Sequence, residues 1–276
     1  MIKYFASKML RPSTYLKLIK NPQKILLLSD YLFFDIRFRK TALKQVLLAK
    51  DEAVAALARL SVRNSPPLLN QSMYETFSAE KSEPAFIKIK DLFNSYGSNK
   101  ASEEEYHYLY SHILRTRVNE SLKILEIGLG SNNVDVPSNM GRFGSPGASL
   151  RALRDFGPHF HIYGADVDKR ILFEENRIKT FYVDQTSPAT FDSLAMNFEK
   201  HSLDLIIDDG LHTPQANLNF FNFAVDFIKP GGSIIVEDIT PTEFPYWQIV
   251  NQLISNEFDC MFFTVKRNCL FLAKKN

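Results

Sequence analysis

Cysteine is nearly absent: Cys260 and Cys269 are the only two in 276 residues. Two cannot build a disulfide framework, and they fit a reducing compartment. Long apolar runs are missing as well. Residues 25–34 form the longest, broken by Ser29 and Asp30 and well short of the roughly 20 residues that a membrane-spanning helix requires. The amino terminus has lysines but no apolar core followed by a small-residue cleavage site, so no secretory signal is expected and the cytoplasm is the expected location. There is no internal repeat and no low-complexity tract. Tryptophan occurs once, at Trp247.

What is present begins with an uneven charge. The net charge is +2, yet residues 1–50 hold eleven Lys and Arg against Asp30 and Asp35, a local +9 that leaves −7 for the remainder. A basic, aromatic-rich arm of this kind suits peripheral contact with anionic lipid. The plainer expectation, and the favoured one, is docking on its own acidic body or on a second copy in a homo-oligomer. Nucleic acid is not expected as a partner, because the body is acidic.

Residues 1–64 are expected to form a helical arm, ending at the linker Asn64–Pro67. A helical lead-in should follow over 65–120, with one helix at Glu83–Tyr96 stopped by Gly97. Ser102 and Glu105 have the spacing of a capping box, which predicts a helix start there carrying Tyr106, His107 and Tyr110. From Leu122 onward strand and helix alternate, which argues for a parallel sheet with helices on both faces. Expected strands are Leu122–Ile127, Phe160–Ala165, Lys179–Val183, Leu203–Ile207 and Ser233–Val236. Ser187-Pro188 and Thr213-Pro214 mark helix starts. Only Lys266-Arg267-Asn268 separates the last two strands, so they must form an antiparallel hairpin. Residues 121–276 are thus expected to be one α/β domain, a Rossmann-like doubly wound sheet closing in a hairpin.

The organising stretch is Leu122–Ser131 (LKILEIGLGS), a buried strand opening into Gly128-Leu129-Gly130. Glycines there let a ligand approach the backbone. The dinucleotide fingerprint needs a third glycine where this chain has Asn133, and sixteen residues (Ser131–Pro146) intervene before the next helix. A pyrophosphate on a helix N-terminus is therefore poorly supported. The ribose-binding acid normally lies about 20 residues on. Asp166 lies 38 beyond Gly128, and 22 once the intervening segment is set aside. A retained ribose carboxylate without a phosphate cradle suits an adenosyl ligand, with Asp184, closing the third strand, near the adenine amino group.

On these residues, with Asp208-Asp209-Gly210-Leu211-His212 at one strand end and Glu237-Asp238 at the next, residues 122–276 resemble class I S-adenosylmethionine-dependent methyltransferases. Within that class they look like the metal-dependent branch acting on sugar and macrolide hydroxyls; Tyr96–Lys100 resembles that branch's lead-in. The resemblance implies a seven-stranded methyltransferase fold, S-adenosylmethionine as cofactor and a small-molecule or glycan acceptor. Gly128 and Gly130 would admit the cofactor, Glu126 would orient its methionine end, Asp166 would hold the ribose and Asp184 would face adenine. Asp209, Glu237 and Asp238 offer hard oxygen ligands that suit Mg²⁺ rather than zinc. His212, three residues past Asp209, is placed to take a proton from the acceptor hydroxyl. Trp247 is expected either to stack on a sugar or to anchor a helix. Two other readings stand beside this one: a nicotinamide-dependent oxidoreductase, and a non-catalytic adenosyl-binding or assembly protein.

Overall fold

The computed structural model describes residues 52–62, 67–266 and 268–276. The chain divides into two compact units, residues 1–59 and 60–276. Of the first, the described part, 52–59, is helical. The rest of the arm and most of the Asn64–Pro67 linker lie outside the described residues.

In the second unit β1 (Leu69–Ser72) leads into α1 (Met73–Phe77), α2 (Pro84–Tyr96), the single turn α3 (Asn99–Ser102) and α4 (His107–Leu114). Then come β2 (Lys123–Ile127), α5 (Ala148–Phe156), β3 (His161–Asp166), β4 (Glu174–Glu175), β5 (Ile178–Tyr182), α6 (Pro188–Ala195) and β6 (Leu203–Asp208). The chain finishes with α7 (Pro214–Phe227), β7 (Ile228–Ile239), α8 (Phe244–Ile254), β8 (Phe258–Thr264) and β9 (Cys269–Lys275). The strands make one sheet in the order β1-β8-β9-β7-β6-β2-β3-β5-β4. β2 runs parallel to both β3 and β6, and β9 is antiparallel to β7 and β8. The order reverses between β2 and β6, the switch point outside which ligands bind in open α/β sheets.

The seven expected strands are all there. Two more extend the edges: β4 pairs antiparallel with β5, and β1 pairs parallel with β8. β1 is only LNQS, too short and polar to show a strand period, so its pairing comes from the sheet edge it meets.

The local signals were mostly obeyed. Gly97 closes α2 at φ 78°, and the Thr213 hydroxyl accepts from the Ala216 amide at the start of α7. The capping box at Ser102 does not form. Ser102 ends α3, Glu105 sits at φ 61°, and α4 starts only at His107. The Lys229–Gly232 segment, expected to precede its strand, lies inside β7 as an irregular stretch where the pairing with β6 shifts.

Apolar residues pack on both faces. One face is covered by α2, α4 and α5 through Ile89, Phe93, Leu109, Leu153 and Phe156, the other by α6, α7 and α8 through Phe191, Phe220, Phe227 and Trp247. Trp247 is an anchor: it is buried, and its ring stacks on Phe271 at 4.5 Å. Among the described residues no helix is long and apolar enough to cross a membrane.

His107 belongs to this packing, its ring against Phe86 and Tyr108. Burial, reinforced by the Lys90 charge, pulls its pKa down from 6.5 to about 4. The unfolded chain therefore takes up a proton that the folded chain excludes. Stability associated with neutral His107 is complete above pH 6.5 and is lost as the pH falls toward 4. The urea midpoint should drop across that window, and His107→Phe should flatten that part of the profile.

Candidate active site

A cleft of about 640 Å³ opens at the carboxyl ends of the central strands. Its wall contains Gly128, Gly130, Asp166, Asp184, Asp209, His212 and Asp238. Seven of the nine site residues expected from the sequence therefore meet at one place. Glu126 and Glu237 do not line it.

Strand alternation explains the division. Successive side chains of a strand point to opposite faces. In β2, Ile124 and Glu126 share the face covered by α5, while Leu125 and Ile127 pack on the other. In β7, Ile235 lies on that same first face, and Glu237 follows it by two. Both glutamates are turned inward to α3, α4 and α5. Glu126 accepts from the Ser149 hydroxyl at 2.8 Å, and Glu237 accepts from the Tyr110 hydroxyl.

Between them lies Lys100, 2% exposed. Its ammonium donates to Glu237, stands 2.6 Å from Asp209 Oδ2 and 3.3 Å from Glu126 Oε1. Burial alone would lower the Lys100 pKa, but the Asp209, Glu237 and Glu126 charges outweigh it and hold the lysine protonated. Burial pushes Glu237 upward in turn, opposed by the same ammonium. Glu237, expected as a third metal ligand, and Glu126, expected at the methionine end of the cofactor, thus both meet Lys100 behind the cleft wall, with Glu237 sharing that lysine with Asp209.

Asp238 should by alternation face away from Glu237. It does, but with a left-handed backbone (φ 54°) and an interrupted register against β9. Its Oδ1 accepts from the Tyr106 hydroxyl at 2.5 Å and from Asn268 Nδ2 at 2.8 Å. Oδ2 is left toward His212 Nε2, 3.7 Å away, and Asp209 Oδ1 is 3.8 Å from the same nitrogen. Ligand atoms of Asp209, His212 and Asp238 all lie within 4.8 Å of one another. His212 is likewise left-handed (φ 53°), and its Nδ1 is buried without a partner. Strained backbone at two neighbouring polar residues is a feature of built sites. Two carboxylates and an imidazole that share so small a volume fit a divalent cation that keeps several waters.

The loop carrying Asp209 and His212 is fixed from behind. Asp208 is fully buried on the α7 face, accepting from Gln185 Nε2 (2.7 Å) and Asn217 Nδ2 (2.9 Å). Gln185 Oε1 in turn accepts from the Leu211 amide at 2.7 Å. Thus the first aspartate of the pair is a strut and the second faces the cleft.

At the other end Asp166 accepts from the Leu129 and Asp168 amides, at 2.7 and 2.8 Å. Burial raises its pKa, and these two amides oppose the rise. Asp184 accepts from the Thr186 amide at 2.9 Å. Ser131–Pro146 forms a wall of the cleft through Val136–Met140, and Asp168 ties its start through Ser131 (2.6 Å) and Asn133 (2.7 Å). Among the described residues, five carboxylates (Glu103, Asp166, Asp184, Asp209 and Asp238) and no lysine or arginine line the cleft.

Sequence reasoning missed Lys100, Tyr106 and Tyr110 as site residues. The tyrosines are four apart, hence on one side of the α4 turn, and that spacing was the available signal.

Residues 145–239 match the family model of a methyltransferase domain. The chain is similar in fold to the MycE methyltransferase of the mycinamycin pathway, solved with Mg and SAH, with a TM-score of 0.55 at 22% identity, over 68% of this chain and 55% of that one. Over 136 residues it is 31% identical to demethylmacrocin O-methyltransferase of Streptomyces fradiae and 29% identical to mycinamicin VI 2''-O-methyltransferase of Micromonospora griseorubida. Each match covers 49% of this chain and 32% of the relative. The chain thus spans about a third of the length of these relatives.

Gly128 gives the fold a sharp test. At φ 97°, a Cβ there would lie 2.0 Å from the Asp209 carbonyl oxygen. Gly128→Ala should cost about 1–2 kcal/mol for the left-handed backbone and about 1–3 kcal/mol for the clash. Gly231→Ala, at φ 75° with nothing within 4 Å, should cost only the first. Urea denaturation of the two variants checks the difference.

Proposed function

We propose that this chain transfers the methyl group of S-adenosylmethionine to a hydroxyl oxygen of a sugar unit, in a glycoconjugate or small natural product, with Mg²⁺ assistance. The observation that carries the reading is a cleft lined, among the described residues, by five carboxylates and no lysine or arginine, with the Asp209–His212–Asp238 cluster in its wall. Five carboxylates repel a pyrophosphate and accommodate a sulfonium, which argues against the nicotinamide reading. A non-catalytic adenosyl-binding protein has no need of strained, clustered acid and imidazole groups. The named relatives act on mycinamicin VI and demethylmacrocin, and the MycE structure contains Mg and SAH.

Gly128 and Gly130 leave room for the ligand at the floor of the cleft, where a Cβ would meet Asp209 or Met140. Asp166, anchored by two amides, meets the ribose hydroxyls, and Asp184 faces the adenine edge. Asp209 and Asp238, each with an oxygen facing His212 in the cleft, would hold the cation together with Glu237, which shares Lys100 with Asp209. When bound, S-adenosylmethionine supplies an activated methyl and Mg²⁺ supplies positive charge beside the acceptor oxygen. The protein's remaining tasks are to hold that oxygen in line with the methyl and to remove its proton. His212 Nε2, between the two carboxylates, takes the proton. Two free cysteines, neither bonded to the other, agree with a cytoplasmic location.

Chelation with EDTA should stop turnover while S-adenosylhomocysteine still binds, because its ligands lie elsewhere. Full activity in EDTA would remove the metal from the reading. His212→Ala should lower kcat by about 10²–10⁴ and recover part of the loss at higher pH; equal loss of metal binding would make His212 a ligand instead of a base.

The ribose assignment has its own test. Asp166→Ala should weaken S-adenosylhomocysteine binding by about 1.5–3 kcal/mol, read by calorimetry. Binding of NAD in preference to S-adenosylhomocysteine by the wild-type protein would sink the methyltransfer reading.

A further inference from the structure

The adenine and metal ends of the cleft, as read above, are linked by one buried side chain. Gln185 follows Asp184, lines the cleft and is 6% exposed. β2 and β3 stand between β5 and β6 in the sheet, so the segment after β5 passes their ends to reach the 209–212 loop. There Gln185 uses both ends of its side-chain amide: Nε2 donates to Asp208 and Oε1 accepts from the Leu211 amide. The Gly210 backbone packs against the same group too closely for a Cβ. The grip thus covers residues 208, 210 and 211, directly before His212 with its left-handed backbone. The segment itself is fixed to α7, where Asn219 Nδ2 donates to the Gln185 carbonyl at 2.8 Å.

On either side of Gln185, Asp184 and Thr186 also line the cleft. Asp184 Oδ1 accepts from the Thr186 hydroxyl at 2.7 Å as well as from its amide, which closes 184–186 into a tight turn. The face offered to a nucleoside and the anchor of the 209–212 loop are therefore neighbours in one short segment. Resting on the cofactor and metal readings, we infer that Gln185 is a positioning residue through which a nucleoside in the cleft tightens cation binding at Asp209 and Asp238. A nucleoside against Asp184 and Thr186 restrains the segment that carries the Gln185 amide. The two hydrogen bonds pass that restraint to Asp208 and Leu211, and so to Asp209 and His212 beside them. A cation then has less ordering of its own to impose on the loop. By linkage the effect is reciprocal, and a bound cation tightens the nucleoside by the same factor.

The test titrates the full chain with Mn²⁺, followed by electron paramagnetic resonance, with and without adenosine or S-adenosylhomocysteine. Neither probe carries a sulfonium charge, so direct repulsion of the ion does not enter. In the wild type each probe should tighten Mn²⁺ by about 5-fold or more. Calorimetry should show Mn²⁺ tightening adenosine by the same factor. Gln185→Leu removes both side-chain hydrogen bonds, and the factor should fall to about 1. Gln185→Glu keeps an acceptor for the Leu211 amide and should retain part of it. Asn219→Ala, which frees the Gln185 carbonyl from α7 at a residue outside the cleft wall, should lower the factor part-way.

A purely structural role would lower the urea midpoint of Gln185→Leu and leave the factor as in the wild type, which overturns the inference. A wild-type factor of about 1 overturns it too, and needs no variant to fold. Coupling to S-adenosylhomocysteine but not to adenosine moves the link to the methionine end and overturns it likewise. In those three outcomes the cofactor and metal readings stand. Absence of Mn²⁺ binding by the wild type removes the metal reading and this inference with it, and absence of S-adenosylhomocysteine binding removes the cofactor reading in the same way.

Discussion

The interaction on which the rest of the structure leans is the contact of one buried ammonium with three carboxylates from three strand ends. Lys100 comes from α3, a single turn in the lead-in, and Glu126, Asp209 and Glu237 come from the ends of β2, β6 and β7. The contact therefore ties the helices that precede the sheet to its functional edge. Removing one partner of such a group leaves an uncompensated buried charge, typically a penalty of about 3–5 kcal/mol. This explains why α3 can be so short. Its place is set by charge inside the fold and by the Ser98 cap, more than by its own helical stability.

A second constraint is close approach. Gly128 brings β2's turn against the carbonyl of Asp209, and Gly210 packs so tightly on Gln185 that a Cβ there would lie 1.9 Å from its Oε1. The 209–212 loop is clamped between these two points, with Asp208 as its strut. Left-handed backbone at His212 and Asp238 is sustained by that clamping. The same contacts that strain the loop also hold the imidazole and two carboxylates within reach of one another. Packing and chemistry are here a single arrangement.

How far the sequence reached follows from which signals are local. The five parallel strands, the closing hairpin and the starts of α2 and α7 come from apolar period, glycine and proline, all read within a window of a few residues. The seven cleft residues from Gly128 to Asp238 were legible because loops after parallel strands converge on one edge. Ser102 and Glu105 misled for a related reason. Their spacing fits a cap, but Ser102 was already used to end α3, and only the fold shows that.

By itself the sequence determined the alternation of strand and helix, the turn glycines, the missing phosphate cradle and the set of acids gathered at the strand ends. Tertiary structure decided how those acids divide. Adjacent Glu237 and Asp238 point to opposite faces of one strand, so one meets a buried lysine and the other meets the cleft. Asp208 and Asp209 divide in the same way, into a strut on α7 and an acid that faces the cleft. The sign of a charge is written in the sequence. Its partner lies 137 residues away in the Lys100–Glu237 pair, and proximity at that separation is created only when the sheet and its covering helices pack together.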